Sequence, residues 1–439
     1  MLTSTEVPGP LRSDEADVAP VEPSWSPPAQ RHELSPEHQK IVKSTAPVLA
    51  EHGVAITSHF YKRLLDNHPE LRNIFNSAHQ STGGQPAALA HAVWAYAANI
   101  DNLGALTTAV SRIAHKHVSL GITPDQYPIV GENLLASIQE VLGDAITQPV
   151  LDAWAAAYQQ LADIFIGVER SLYEAAEHSP GGWTGWRKFK VARKVIESDE
   201  IVSFYLEPLD GGRLPNFKPG QYISVRVFLP ELGVYQPRQY SLSDTDDGKH
   251  FRISVKKEVG NGPATPPGRV SNILHQNLPE GAELDVSNPS GDFTLDVGDS
   301  DSDAPVVLIS GGVGITPMLS MLGTLVDRAP TRPVLFVHAA RNGKVHAMKD
   351  YLARIIRDNP QVSKVVFYGE TEAAEREGVD YDFVGRIVLE NIKDKVLLPG
   401  ASYYLCGPVP FMRLHQKALE DLGVPSERIH SEVFGSDAG

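Results

Sequence analysis

The sequence predicts a multidomain chain of three folded units: an all-α segment, an antiparallel β-barrel and a parallel α/β domain. Apolar residues recur every three or four positions from Glu37 to about His178, which is the period of a helix face. After the Pro/Gly-rich break at 179–185 the period becomes two, as in strands with one buried face. From about residue 304, short apolar runs alternate with helical patterns, the order of a parallel α/β domain.

Composition narrows the possible functions. A length of 439 residues with 42% apolar content allows about two to four domains, each with its own core. The net charge of −15 disfavours nucleic acid and anionic membranes as partners. The single cysteine, Cys406, excludes internal disulfides and Cys-ligated clusters and fits a reducing compartment. Because no apolar run is long enough to span a bilayer, we expect a cytoplasmic protein. We also expect a monomer that acts on small molecules.

The expected units have the following limits. Residues 1–36 are rich in proline and acidic side chains, and we expect a disordered tail. The helical unit covers 37–178, the linker 179–185 and the barrel 186–297. An acidic hinge, Asp299 to Asp303, leads into the α/β unit at 304–439.

A glycine-rich turn follows the first apolar run of the α/β unit. In Ser310-Gly311-Gly312-Val313-Gly314-Ile315-Thr316-Pro317 we expect Thr316 to cap a helix that begins at Pro317. Glycines let backbone N–H groups approach a pyrophosphate, and the helix N-terminus favours its charge. An ordinary strand-to-helix turn is the alternative, since the spacing departs from G-x-G-x-x-G.

Three further motifs accompany that turn: Arg238-Gln239-Tyr240-Ser241, Gly268-Arg269-Val270-Ser271-Asn272 and Tyr404-Leu405-Cys406-Gly407-Pro408. Their order and spacing over Trp186 to Gly435 resemble the ferredoxin-NADP reductase family. The resemblance implies flavin contacts for Tyr222, Arg238, Gln239, Tyr240, Ser241, Gly268, Val270 and Ser271. It implies nicotinamide dinucleotide contacts for Gly311, Gly312, Gly314, Thr316, Pro317, Gly407 and Pro408. Cys406 is either a small buried hydrophobe or part of the nicotinamide site, and we expect the second.

Polar side chains fall on the apolar stripes of the helical unit. His117 follows Val110 by seven residues and Ile113 by four, so its imidazole points inward. A core histidine with ordinary partners is one interpretation, and a metal ligand with a hydrogen-bond acceptor on its other nitrogen is the second. Tyr61, Gln85 and Glu169 lie on similar stripes.

Each of these three has an ordinary alternative: a hydroxyl bonded to a helix carbonyl, a helix cap, and a carboxylate that reaches solvent. Together they converge on one buried polar site. Because the sequence offers no Cys ligand set, H-E-x-x-H or carboxylate cluster, haem is the occupant that the residues favour.

The segments HFYKRLLDNHPELRNIF, AxKHxSLGI, YPIVGENLL and DAWAAAYQQLADIFIGVE resemble a bacterial globin from Glu37 to about Tyr173. A globin fused to such a reductase is the architecture of the flavohaemoglobin family. The resemblance implies that His117 binds haem iron, that Tyr61 and Gln85 hold bound dioxygen, and that Phe75 and Leu89 contact haem. It implies that Tyr127 and Glu169 polarise the imidazole, and that Lys116, Glu432 and Phe434 lie at the flavin. Ser431 and Val433 replace an aromatic residue and a cysteine of some members.

The family resemblance implies a function: nitric oxide dioxygenase, which converts NO and O2 to nitrate. Its electrons would pass from NAD(P)H through FAD to haem b. Alternatives are a peroxide or alkyl hydroperoxide reductase, an oxygen-binding redox sensor and a haem-free reductase. The basic groups in 340–344 would either favour the 2′-phosphate of NADPH or simply be solvated. The sequence therefore leaves the preference between NADH and NADPH open.

Overall fold

The computed structural model describes residues 33–75, 83–262, 265–297 and 304–434. The expected tail up to residue 32, the acidic hinge at 299–303 and Gly435 lie outside these ranges. Within them, no helix combines the length and hydropathy needed to cross a membrane.

The first unit is helical, as predicted. Ser35 begins it as an N-cap, because its hydroxyl accepts the His38 N–H at 3.1 Å. The five helices are α1 Pro36–Asn67, α2 Gly84–Ala98, α3 Thr107–Leu120, α4 Gln126–Leu142 and α5 Gln148–His178. Short 3-10 turns cover Pro69–Asn73, Leu103–Leu106 and Gly143–Ala145.

Two glycines fix how these helices meet and end. A Cβ on Gly131 of α4 would lie 2.4 Å from the Tyr158 ring of α5, so only glycine allows this crossing. Gly121 ends α3 with a left-handed φ of 75°. Its N–H donates to the Val118 carbonyl at 3.1 Å. The end of α3 therefore comes one turn after His117.

The second unit is an antiparallel sheet of six strands, in the order β4-β3-β6-β1-β2-β5. An isolated bridge between Leu242 and Ile253 connects the two outer edges, as expected for a barrel. Alternate residues such as Phe189, Val191 and Phe204 fill its core. The strands are β1 Trp186–Ile196, β2 Ile201–Pro208, β3 Tyr222–Leu229, β4 Val234–Ser241, β5 Phe251–Lys256 and β6 Glu283–Ser287, and α6 is Arg269–Asn277.

The third unit is a parallel sheet in the order β10-β9-β8-β7-β11-β12. Its buried strands, such as β7, are apolar along nearly their whole length, because helices and loops cover both faces. The strands are β7 Val306–Gly311, β8 Val334–Ala340, β9 Val362–Tyr368, β10 Phe383–Val384, β11 Ser402–Gly407 and β12 Ile429–Val433. The helices are α7 Ile315–Arg328, α8 Lys349–Asp358, α9 Lys393–Val396 and α10 Val409–Asp421.

One local expectation was wrong. Helix α7 begins at Ile315, preceded by a 3-10 turn over Gly312–Gly314, and Thr316 lies within its first turn. The Thr316 hydroxyl donates to the Val313 carbonyl at 3.0 Å. The 3-10 turn leads directly into the helix, so the helix starts two residues earlier than a threonine cap would require.

Candidate functional site

Polar side chains from two other helices meet His117 at its Nδ1 atom. His117 Nδ1 on α3 lies 2.7 Å from Glu169 Oε1 on α5, and the Tyr127 hydroxyl on α4 donates to the same oxygen at 2.5 Å. Glu169 is 2% exposed. Burial and the neighbouring carboxylate raise the pKa of Tyr127, so its hydroxyl stays a donor. The carboxylate fixes which ring nitrogen carries the proton and leaves Nε2 for another ligand.

A second polar pair lies on α1 and α2. Tyr61 is buried, and the rings of Phe60 and Phe75 pack edge-on against it at centroid distances of 5.0 and 5.5 Å. Burial raises the pKa of Tyr61, and a hydrogen bond with the Gln85 side chain opposes this in part. Gln85 Oε1 is buried without a hydrogen-bond partner among the residues that the structure describes.

These residues fit a haem. An unpartnered buried amide oxygen costs free energy unless a ligand completes it. His117 would supply the iron ligand through Nε2, while Tyr61 and Gln85 would supply polar groups to a small iron ligand. Leu89 packs in the partly buried apolar layer with Phe75. The structure thus places these polar residues in two groups of the helical unit, one around His117 and one around Tyr61.

The predicted flavin residues of the barrel lie mainly on β4 and at the start of α6. Arg238 and Tyr240 share β4, and Ser241 ends that strand as a buried residue. The Ser271 hydroxyl in the first turn of α6 donates to the Gly268 carbonyl at 3.1 Å and accepts the Glu258 N–H at 3.2 Å. Gly268 itself lacks room for a side chain, because a Cβ would lie 2.8 Å from Ser271 Oγ. Val270 is buried in the barrel core beside this turn.

Charged groups from the other two units influence the pKa of Glu432 on β12. Its Oε2 is buried without a hydrogen-bond partner within the described ranges. Burial, followed by the neighbouring Asp292, raises the pKa of Glu432 to about 8, while Arg112 and Lys116 of α3 oppose the shift. The Glu432 carboxylate in turn contributes to raising the pKa of Tyr222 on β3 and of Cys406 on β11. An unsatisfied carboxyl group among a tyrosine, a lysine and an arginine fits the edge of a flavin ring.

The glycine turns meet where the strand order reverses, between β7 and β11. A Cβ on Gly314 would lie 2.2 Å from the Cys406 carbonyl oxygen, and one on Gly407 would lie 2.7 Å from the Phe411 ring. Ligands bind at such a point in parallel sheets, outside the carboxyl ends of the strands. Gly311, Gly312, Thr316, Pro317 and Pro408 border it.

Cys406 is fully buried, and it packs with Ile315 and Met318 in the core of the third unit. Burial raises the pKa of its thiol well above the usual range, so the group stays protonated. Phe434 is exposed at the end of β12, 41% of its surface being accessible.

Sequence reasoning missed the contact between the helical unit and the barrel. Gln236 on β4 donates to the carbonyls of Arg72 at 2.8 Å and Phe75 at 3.1 Å. His115 Nδ1 accepts the Gly291 N–H at 3.1 Å. These residues lie on polar faces that look solvated when the sequence is read alone. Only the position of the second unit shows that they are interface residues.

Models of two known protein families match separate parts of the chain. A globin family model matches residues 58–165. A model of the oxidoreductase NAD-binding domain matches residues 308–417. The fold and site therefore define a globin joined to a pyridine nucleotide-binding oxidoreductase.

Relatives similar over nearly the whole chain identify the family. The flavohemoprotein of Bordetella pertussis is 57% identical over 404 residues, covering 92% of this chain and 99% of that protein. The flavohemoprotein of Rhizobium meliloti is 55% identical with the same coverage. This chain belongs to the flavohemoprotein family.

Two solved structures resemble this one. The flavohemoglobin of Malassezia yamatoensis, solved with bound FAD and haem, has a TM-score of 0.80 and 31% identity, covering 92% of this chain and all of that one. The FAD/NAD-binding domain of the Vibrio cholerae nitric oxide dioxygenase has a TM-score of 0.50 and 38% identity, covering 57% of this chain and 98% of that one.

Proposed function

We propose that this oxidoreductase is a nitric oxide dioxygenase that converts NO and O2 to nitrate with electrons from NADH or NADPH. The proposal divides the chain into a haem unit at 37–178, an FAD unit at 186–297 and a dinucleotide unit at 304–439. The observation that carries it is the direct contact between the helix that bears His117 and the predicted flavin strand, where the Lys116 ammonium donates to Gln239 Oε1.

When bound, haem would supply an iron that takes up dioxygen, and FAD would divide a two-electron hydride equivalent into single electrons. His117 would hold the iron, and the Glu169 carboxylate would keep Nδ1 hydrogen-bonded so that Nε2 is a strong donor. The Tyr61 hydroxyl would donate to dioxygen, in surroundings kept dry by Phe60 and Phe75.

The reductase residues would place the two other cofactors. Arg238 and the first turn of α6 would hold the flavin phosphates, because a guanidinium and the backbone N–H groups at a helix N-terminus both bind them. Tyr222 and Tyr240 would flank the ring. Backbone at Gly311 to Gly314 would bind the dinucleotide pyrophosphate beside Gly407.

The proposal is tested by nitric oxide consumption at an electrode, in air, with haem- and FAD-loaded protein and limiting NADH. We expect loss of about two NO molecules per NADH, with nitrate as product, since one NADH supplies two electrons. Negligible consumption despite haem reduction would refute the dioxygenase function.

Replacing Tyr61 tests the oxygen-binding side. Tyr61→Phe removes the hydroxyl and leaves the ring packing against Phe75, so we expect bound dioxygen to lose about 1–3 kcal/mol of stabilisation. Stopped-flow dissociation of dioxygen measures this directly. An unchanged dissociation rate would remove Tyr61 from the mechanism.

A second candidate function, reduction of alkyl hydroperoxides, is favoured by the short contact between Glu169 and His117. A strongly polarised imidazole assists O–O bond cleavage. NADH oxidation driven by a hydroperoxide at a rate above that driven by NO and O2 would favour this candidate.

A further inference from the structure

A closed chain of hydrogen bonds joins the helix that carries His117 to the barrel. The Lys116 ammonium donates to Gln239 Oε1. Gln239 Nε2 donates to Ser224 Oγ at 2.8 Å, and Ser224 Oγ donates to Ser119 Oγ at 3.0 Å. Ser119 Oγ donates to the Lys116 carbonyl at 2.8 Å, which closes the chain on the residue where it began.

The two serines form the buried part of this chain. Ser119 is 1% exposed and Ser224 is 0% exposed, each on a different unit. Away from Ser119, the buried Ser224 hydroxyl would keep the bond that it accepts from Gln239 but lose the acceptor for its own proton. A buried donor without an acceptor costs free energy, so the two surfaces fit best when both serines face each other. The contact therefore defines one register of α3 on the barrel.

The members of the chain stand beside the two cofactor sites. Lys116 precedes His117 on α3, and Gln239 lies between Arg238 and Tyr240 on β4. A shift of α3 along the barrel would move the imidazole relative to the flavin strand. The rate of electron tunnelling falls steeply with separation, so such a shift would slow the passage of electrons between them.

We propose that Ser119 and Ser224 are positioning residues that set the rate of electron transfer from flavin to haem. The proposal rests on haem and FAD binding as proposed above, and it is independent of the reaction with NO. In each transfer the reduced flavin loses one electron and ferric iron gains it. Neither serine is among the residues assigned to the dinucleotide site. Hydride transfer from NADH to the flavin should therefore not depend on them.

The barrel offers a matched control. Ser203 Oγ and Ser254 Oγ form another buried hydrogen bond of 2.8 Å, between β2 and β5. Ser203 is 0% exposed and does not contribute to the chain that reaches α3. Ser203→Ala thus removes a bond of the same kind from the same unit and leaves the register of α3 unchanged.

The experiment is anaerobic stopped-flow reduction by NADH under carbon monoxide, with full-length Ser119→Ala, Ser224→Ala and Ser203→Ala proteins loaded with haem and FAD. The bleaching of the flavin and the absorbance of the haem are followed in the same mixing experiment. In the Ser119 and Ser224 variants we expect flavin reduction to stay near the wild-type rate. Their haem reduction should slow by about tenfold to a hundredfold, the effect of a small misplacement. Ser203→Ala should show neither change.

A second readout reports docking without turnover. Hydrogen–deuterium exchange of backbone amides in 107–120 should speed up in the Ser119→Ala and Ser224→Ala proteins and stay unchanged in Ser203→Ala. The double variant should be no slower in haem reduction than either single variant, because both break one chain.

Three results would overturn the proposal: haem reduction at the wild-type rate in both variants, equal slowing of flavin and haem reduction, or equal slowing in Ser203→Ala. Should Ser224→Ala fail to fold, Ser119→Ala alone decides, since it breaks the chain from the helix side. A wild-type protein that reduces its flavin but never its haem would instead refute the electron path proposed above.

Discussion

The haem pocket and the dinucleotide site are built by different means. Side chains from five helices would form the pocket, and some of them hydrogen-bond to one another, as His117, Tyr127 and Glu169 do. Backbone forms the dinucleotide site, at glycine turns where Gly314 and Gly407 leave no room for a Cβ. Chemistry in the first region therefore depends on functional groups, and binding in the second depends on close approach of the main chain.

The difference predicts which substitutions harm each region. Removing a polar group should disable the haem pocket with little effect on its fold, whereas adding a methyl group should disrupt the dinucleotide site. Four predictions test this contrast, beginning with the largest expected effect.

His117→Ala should abolish haem retention, because it removes the imidazole that the proposal assigns to the iron. Reduction of the flavin by NADH should continue at the wild-type rate, since the dinucleotide site does not depend on His117. The ratio of Soret to flavin absorbance in the purified protein measures the loss. A haem content above half of wild type would show that another residue binds the iron.

Gly314→Ala should destabilise the third unit by roughly 3 kcal/mol, because the new Cβ would collide with the Cys406 carbonyl. Gly312→Ala is the matched control. Gly312 has a φ of 56°, and no atom lies within 4 Å of the position that its Cβ would take, so the substitution should cost only about 1–2 kcal/mol for the left-handed backbone. Denaturant unfolding compares the two. Equal losses would contradict the close approach at Gly314.

The loop after β8 should favour NADH over NADPH. Both its cations are already paired, Arg341 with Glu200 and Lys344 with Glu372, the second pair at 2.8 Å. Two more carboxylates approach the loop: Glu370, which accepts from Asn342, and Glu375, which accepts the Gly343 N–H. A 2′-phosphate, expected at this strand end, would meet net negative charge.

Glu372→Gln should raise kcat/KM for NADPH about two- to fivefold, the scale of an exposed ion pair, and leave that for NADH unchanged. Asp421→Asn is the control, because Asp421 forms a similar exposed pair with Lys417 at 2.9 Å. Flavin reduction kinetics with each coenzyme measure both constants. A wild-type preference for NADPH would show that the four carboxylates do not govern the choice.

The last prediction concerns a buried histidine. His338 is 1% exposed on β8, its Nδ1 lies 2.8 Å from Ser310 Oγ, and burial lowers its pKa to about 3. The unfolded chain would take up this proton below about pH 6.5 and the folded chain would not. The stability of the third unit should therefore decrease as the pH is lowered below about 6.5, by at most about 1.4 kcal/mol per pH unit for this group.

His338→Gln should reduce the loss of stability between pH 6.5 and 5. His52→Gln, at an exposed position of α1, should leave that loss unchanged. Hydrogen exchange of the amides in 334–340 follows the third unit alone. An identical pH dependence in the His338 variant would show that another group controls acid sensitivity.

Regular elements were predictable from sequence because each carries its own period. The run Val306 to Ile309 is apolar throughout, and it is the buried strand β7. The stripe through Val110 and Ile113 placed His117 inward, where the structure has it beside Glu169.

What the sequence could not show depends on contacts between units. Ser119 and Ser224 are 105 positions apart, and small polar residues carry no periodic signal. The start of α7 was also missed, since the 3-10 turn at Gly312–Gly314 depends on packing against β11. Local patterns thus predict elements and pockets, and the junction of units needs the structure.

The central claim is that one chain passes electrons from pyridine nucleotide to its own haem. The direct measurement is anaerobic haem reduction by excess NADH, at protein concentrations spread over about a hundredfold. An intramolecular path predicts one rate constant at all concentrations, slower than or equal to that of flavin bleaching. A rate that rises in proportion to protein concentration would contradict the account, because electrons would then pass between molecules.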